Sequence, residues 1–228
     1  MAVVSLSSCA EMQQVMNQLP QTKGIGGVDI AGGLKEALNN GISKQVTKLT
    51  TTDGFYKNEL VKILLPEELR KVDIGLRKLG LNSLADEGLK VLNRAAEDAV
   101  KEATPIFVDA VRNMTFMDAK TILMGNDNSA TNYLQNSTST ALYGKFNPVI
   151  KNSFTKVGAD KVWTNIITKY NSIPLVNKVN PDLTDYVTNQ AMNGVFKMVA
   201  VEEKNIRTNI NSRTSVLLQK VFAMQDRK

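Results

Sequence analysis

Apolar residues recur at three- and four-residue intervals along most of the chain: Ile30, Leu34, Leu38, Ile42, Val46 and Leu49 form the first such row. That spacing puts them on one face of an α-helix, with Asp29 as its N-cap. Thr50-Thr51-Thr52-Asp53-Gly54 then reads as a turn, and Phe55 to Leu65 as a stretch holding a short helical piece. Pro66, at a first helical position with Glu67 and Glu68 behind it, opens a helix through Leu69, Val72, Leu76 and Leu79 to Gly80. Asn82 or Ser83 opens the next, where Leu84, Gly88, Leu92, Ala95, Ala96, Ala99 and Ala103 share a face of small residues that admits a neighbouring helix closely. Glu87, Lys90, Arg94, Glu97, Asp98 and Lys101 take the other face, at pairing distance of one another.

Pro105 starts a further helix, and Thr115 with Asp118 has the spacing of a capping box, closed by Gly125. Asn126-Asp127-Asn128-Ser129 is a polar helix cap; it lacks the twelve-residue ligand spacing and final Glu of a calcium loop. The Ser/Thr/Asn-rich run from Ala130 to Val157, interrupted by Gly144 and Pro148 and ended by Gly158, predicts two or three short helices. Lys161 to Tyr170 adds another, with Trp163, Ile166 and Ile167 inward. A long helix then starts at Asp182, with Asp185 in capping-box position. Leu183, Val187, Ala191, Val195, Met198, Val199 and Ile206 lie down one face, widened by Phe196, Met192 and Val201. Asn211 or Ser212 begins the last helix, through Val216, Leu217, Lys220, Val221 and Met224. No segment alternates with a period of two over a strand length. The expected fold is therefore all-α, a compact multi-helix bundle with a long central helix near the C-terminus and no sheet.

Chemistry enters through a few residues. Stepping about 100° per residue from Leu183 places Glu202 in the middle of the apolar face, with Lys204 and Arg207 opposite. A carboxylate at a core position needs a partner, because burying it unpaired costs several kcal/mol. Arg213 on the following helix is the expected partner, Arg207 is also near in sequence, and Arg94 or Arg77 could come from elsewhere. Glu202, Glu203, Arg207 and Arg213 are the candidate binding residues. The pair reads either as an ion pair joining two helices or as a ligand or acid–base site.

The chain has no histidine and one cysteine, Cys9. That excludes His-based triads, histidine metal sites, an intrachain disulfide and multi-cysteine metal centres. No catalytic residue, metal or cofactor is assigned. The net charge is +6, and Lys145, Lys151, Lys156, Lys161, Lys169 and Lys178 are opposed in their stretch only by Asp160. Such lysines make a solvated face or meet an anionic surface. Aromatic interleaving is too sparse for a nucleic-acid partner.

The first nine residues end in Leu6-Ser7-Ser8-Cys9 after an apolar run. This resembles a bacterial lipobox, in which a Leu and two small residues precede the cysteine that is acylated and becomes the new N-terminus. No Lys or Arg precedes the run, and it is short, so either this is a truncated signal whose start lies upstream or the match is accidental; the expectation is the former. Residues 1–27 are thus read as lipobox and flexible tether, with Pro20, Gly24, Gly26 and Gly27 in it, and 28–228 as a single helical domain of one or two lobes. No stretch approaches the roughly 20 apolar residues of a membrane span.

Taken together the chain resembles the bacterial domain-of-unknown-function family 4197 from Gly32 to Phe222. The resemblance rests on Leu69-Arg70-Lys71-Val72 with Leu76-Arg77-Lys78-Leu79-Gly80, Asn93-Arg94-Ala95-Ala96-Glu97, Pro105-Ile106-Phe107-Val108-Asp109-Ala110, Asp118-Ala119, Ile122-Leu123-Met124-Gly125 and Ala130-Thr131 with Tyr133. It continues through Asp185-Tyr186-Val187-Thr188 and Glu202-Glu203-Lys204-Asn205-Ile206-Arg207 to Arg213-Thr214. At Ile210 the chain departs from the family pattern, which has a proline after asparagine. The resemblance implies a helical envelope protein, often a lipoprotein, and carries over no activity and no site residues. The expected function is a lipid-anchored binding or scaffold module in the periplasm, held at the outer membrane by acylated Cys9, with an envelope protein or an anionic surface as partner. The alternatives are a small-ligand carrier with a cavity between helices, and an enzyme using Glu202 with arginines.

Overall fold

The computed structural model describes residues 27–226 apart from 79, 81, 173, 176, 177, 179 and 181. Cys9 and the tether expected to follow it lie outside the described residues. The fold is all-α, with no strand among the described residues. In chain order the helices are α1 (Gly27–Thr50), α2 (Glu67–Lys78), α3 (Asn82–Val100), α4 (Ala103–Asn113), α5 (Phe116–Leu123), α6 (Ser129–Val157), α7 (Ala159–Asn171), α8 (Thr184–Thr208) and α9 (Val216–Phe222), with a 3-10 turn at Ile210–Ser212. Helix α8 packs against α6, α1 and α3 and is the central element; α1 also contacts α4, α5 and α9. Buried residues from Ile30 to Phe222 form one continuous apolar cluster.

Several boundaries differ from expectation. Helix α1 begins at Gly27, so Asp29 sits in its first turn rather than capping it. Helix α4 begins two residues before Pro105, with the proline inside the first turn where its missing N–H costs nothing. Asp182 precedes α8 and accepts a hydrogen bond from the Thr184 N–H at 2.9 Å, while Asp185 leaves the capping role and receives the Tyr143 hydroxyl of α6. The last helix starts after Ser215, whose Oγ accepts from the Leu218 N–H at 3.1 Å, so Asn211 and Ser212 belong to the 3-10 turn. Thr115 and Asp118 do make the reciprocal capping box at the start of α5.

The largest correction concerns residues 129–157, which form one helix of 29 residues with Pro148 inside it. An interior proline costs about 3 kcal/mol, but Leu134, Leu142, Phe146, Ile150 and Phe154 run unbroken across it, each fully or nearly fully buried. At about 1.5–3 kcal/mol per buried side chain, the packing on either side outweighs the break. The hydroxyls that looked like helix breakers turn back into the helix. Ser137, Thr138 and Ser139 each donate at 2.6 Å to the carbonyl four residues earlier. Gly158, at φ 68°, ends the helix in the left-handed conformation.

Residues 51–66 hold no helix; they are a loop clamped by α3. Asn93, fully buried, accepts from the Ile63 N–H at 2.8 Å and donates to the Ile63 carbonyl at 2.9 Å and the Leu89 carbonyl at 2.8 Å. Glu97 accepts from the Phe55 N–H at 3.1 Å and from Arg94 at 2.6 Å, and Arg94 in turn holds Asp53 at 2.6 Å. Glu97 is therefore buried rather than on the outward face expected for it. Phe55 packs on Gly194 of α8, where a Cβ would stand 2.7 Å from the ring. Gly54 makes the turn possible, since a Cβ there would lie 2.5 Å from the Leu49 carbonyl oxygen.

Replacing Asn93 by Ala strands both backbone groups of Ile63. Denaturant unfolding should show a loss of about 2–3 kcal/mol, against under about 0.5 for Asn132→Ala on the exposed face of α6.

Candidate functional site

The candidate residues lie on the C-terminal half of α8 and just beyond it. Glu202 and Glu203 are both 8% exposed, Arg207 4% and Arg213 3%. Glu202 is buried as its phase predicts, but its expected partner is wrong. Its carboxylate meets α1: Lys44 Nζ at 2.7 Å on one oxygen and Gln45 Nε2 at 2.7 Å on the other. Gly41 of α1 lets the two helices close here, because a Cβ would stand 3.2 Å from Glu202 Cγ. Lys44 reaches in from solvent, its side chain 61% exposed. Gln45 must turn its amide nitrogen to the carboxylate, which leaves its Oε1 buried without a protein partner.

Arg213, which follows the 3-10 turn, instead caps the end of α8. It donates to the Ile206 carbonyl at 3.1 Å and the Arg207 carbonyl at 3.0 Å, and pairs with Asp226 at 2.5 and 2.9 Å. These carbonyls belong to the last turn of α8, where a cation is favoured by the helix dipole. The Phe222 ring lies under the guanidinium at 5.4 Å.

Glu203 and Arg207, one turn apart on α8, make the most buried ion pair of the described residues, at 2.8 Å with side chains 5% and 1% exposed. Arg207 is not on the solvent side expected of it. Lying about 100° from Ile206, it is covered by the corner between α5 and α6. Glu203 accepts from the Ala130 N–H at 2.9 Å, and from the N–H and hydroxyl of Thr131, both at 2.8 Å. Arg207 donates to the Leu123 carbonyl at 3.1 Å and the Ile122 carbonyl at 2.8 Å. The anion therefore sits at the N-terminus of α6 and the cation at the C-terminus of α5, each complementing a helix dipole. Asn128, expected to be part of a self-contained cap, makes no side-chain cap; Glu203 supplies it from another helix.

The site's open space is small. Between α1 and α8, lined by Leu38, Gly41, Ile42, Val199, Glu202 and Glu203, the cavity is about 30 Å³, room for a water molecule or two. A larger cleft of about 220 Å³ lies between α6, α7 and the start of α8, with Lys151, Asp160, Asp182 and Trp163 in its wall. No cluster of metal-ligating side chains is found among the described residues, and no helix there is long and apolar enough to cross a membrane.

Sequence reasoning missed Lys44, Gln45, Asn93 and Glu97. Asn93 and Glu97 lie one turn apart and next to Leu92 and Ala96, so their helical phase alone carried the signal. Gln45 follows the same logic beside Ile42 and Val46, whereas its pairing with a residue 157 positions away carried no sequence signal.

The molecule is thus an all-α bundle whose buried charges join the ends of successive helices. The chain belongs to the family described as "Protein of unknown function (DUF4197)", whose model matches residues 24–223. No curated protein and no solved structure matches it.

Glu203→Ala strands Arg207 and frees two helix N–H groups, and should cost about 3–5 kcal/mol in urea unfolding. Glu202→Ala lets Lys44 return to water and should cost only about 1–2 kcal/mol. The Arg213 hydrogen bond and charge hold the Asp226 carboxyl below its ordinary 3.8. Its contribution to stability is therefore full above that value and is lost as pH falls through the lower folded value. In urea midpoints followed below about pH 4, Asp226→Asn should flatten the acid-side decline.

Proposed function

We propose that the chain is a binding or scaffold module of the bacterial envelope, held at the periplasmic face of the outer membrane by a lipid on Cys9. The observation that carries this reading is Leu6-Ser7-Ser8-Cys9, which sets the chain's one thiol behind a Leu and two small residues. The thiol is the nucleophile that takes the lipid, and small residues let a peptidase bind the extended strand. Residues 10–26 between it and α1 could span at most about 60 Å, so the body stays near the membrane surface.

The helical body supports a role exercised at its surface. Glu203, Arg207 and Arg213 spend their hydrogen bonds on backbone groups of α5, α6 and α8, which makes the charged core a means of rigidity. The carrier alternative would need one of the open clefts, beside Trp163, beside the turn at Asp53 or between Pro66 and Tyr186, since the cavity at Glu202 is of water size. The enzyme alternative loses its arginine, because Glu202 is held by Lys44 and Gln45.

The test is fractionation of the protein expressed with its genomic upstream sequence. The wild type should sediment with membranes and carry acyl mass on Cys9, and Cys9→Ser should become soluble. A Cys9→Ser protein that stays with the membranes, or a wild type without acyl mass, would overturn the reading.

A further inference from the structure

The chain's positive charge is not spread over its surface. Between Ser129 and Pro181 stand six lysines and one acidic residue, Asp160, a net +5 of the chain's +6. Helix α6 alone carries Lys145, Lys151 and Lys156 over 29 residues without a single Asp or Glu.

Elsewhere some cations are matched to carboxylates, Lys44 to Glu202, Lys57 to Asp53, Arg77 to Asp73 and Asp86, Arg94 to Asp53 and Glu97, Lys101 to Asp98, while Lys48, Lys90, Lys204 and Lys220 are exposed outside any of these pairs. What sets residues 129–181 apart is one acidic residue against six lysines. On α6 and α7, Lys145, Lys151, Lys156 and Lys161 are all exposed and none of the ion pairs among the described residues includes them. Four carboxylates lie near: Asp98 accepts from the Ser153 hydroxyl at 3.5 Å and Asp185 from the Tyr143 hydroxyl. Asp160 accepts from the Thr155 hydroxyl and the Lys161 N–H, and Asp182 accepts from the Thr184 N–H while feeling the Lys151 charge at longer range. None of the four forms an ion pair with Lys145, Lys151, Lys156 or Lys161.

Lys145 and Lys156 are eleven residues apart, about three turns, and so stand in one line along α6. The residues around them on the solvent side are uncharged: Gln135, Asn136, Thr140 and Asn152 are exposed. Val157, 61% exposed, stands beside Lys156 at the end of the helix.

We propose that this face of α6 and α7 rests on an anionic lipid surface. Lysine is a compact, hydrated point charge on a flexible stem, suited to a fluid array of headgroup phosphates that offers no fixed geometry. A nucleic acid is read by planar guanidinium groups and stacked aromatics, and this stretch has no arginine. An exposed aliphatic residue among lysines fits the boundary between headgroups and acyl chains. The proposal rests on the envelope reading above and gives that module a fixed orientation: α6 and α7 toward the membrane, α1 and α9 away.

The test uses the unacylated full chain and vesicles of phosphatidylcholine with or without phosphatidylglycerol, so it does not depend on Cys9 and its failure is separable from failure of the anchor. The chain should bind the phosphatidylglycerol vesicles, less so as salt rises, and ignore pure phosphatidylcholine. Replacing Lys145, Lys151, Lys156 and Lys161 together by Gln should weaken binding about tenfold or more. Replacing the exposed Lys48, Lys90, Lys204 and Lys220 by Gln removes the same charge elsewhere and should change it less than about twofold. Circular dichroism of both variants verifies that they remain helical. Equal loss in the two variants, absence of binding to the anionic vesicles, or tight binding to duplex DNA without binding to vesicles would each overturn the proposal.

Discussion

The Glu203–Arg207 pair is the interaction on which the arrangement of the bundle depends. Two opposite charges one turn apart on the central helix reach into the corner where α5 ends and α6 begins, and each finds the helix end of complementary polarity. Such a pair is costly to bury, and its cost is offset only because every lone pair and proton is used. Here they are used mainly on helix-end backbone groups: the first N–H groups of α6, and the last carbonyls of α5, of which that of Ile122 also accepts from the Gly125 N–H at 3.2 Å. The same pair thereby fixes where the longest helix starts, and α6 carries from that point the apolar residues that face α3, α4 and α8. Arg213 repeats the device at the end of α8, and Asn93 with Glu97 repeats it for the loop of residues 51–66. The loop of residues 51–66, the corner between α5 and α6 and the end of α8 are thus ordered by buried polar side chains borrowed from neighbouring elements.

The fold class was legible because periodicity reports burial directly. The rows through α1, α3 and α8 are apolar at the spacing of one helical face, and no strand pattern competes. What misled was polar composition. In α6 the Ser, Thr and Asn residues looked like loop because their side chains can compete with the backbone; in place Ser137, Thr138, Ser139 and Thr155 bond to carbonyls of the same helix, and the apolar residues around Pro148 hold it together. In residues 51–66 the opposite happened: a stretch read as holding a short helix forms a run of turns, pinned by Glu97 at the Phe55 N–H and by Asn93 at Ile63.

The candidate site was legible in part. Helical phase placed Glu202 in the core correctly, since that needs only the position of one residue on one helix. Its partners could not be read, because Lys44 and Gln45 stand more than 150 positions away and depend on how α1 crosses α8. Arg207 was misplaced because a wheel separates an apolar from a polar face but does not show which polar residues another element will cover. Glu203, Arg207 and Arg213, quoted for the family resemblance, have structural partners, as do Asn93, Arg94 and Glu97. The residues that carry the resemblance are in large part those that hold the bundle in register, and the face proposed to meet lipid lies elsewhere, on α6 and α7.

Amide hydrogen exchange at Ala130 and Thr131 tests the central claim most directly, because Glu203 is what holds these first-turn N–H groups. Groups at that position of an ordinary helix exchange readily, since they lack an intrahelical acceptor. If the buried pair fixes the corner, both amides exchange only through global unfolding, at the same free energy as the core of α8. Exchange at the rate of exposed loop amides would contradict the account, because the carboxylate would then not be holding the start of α6.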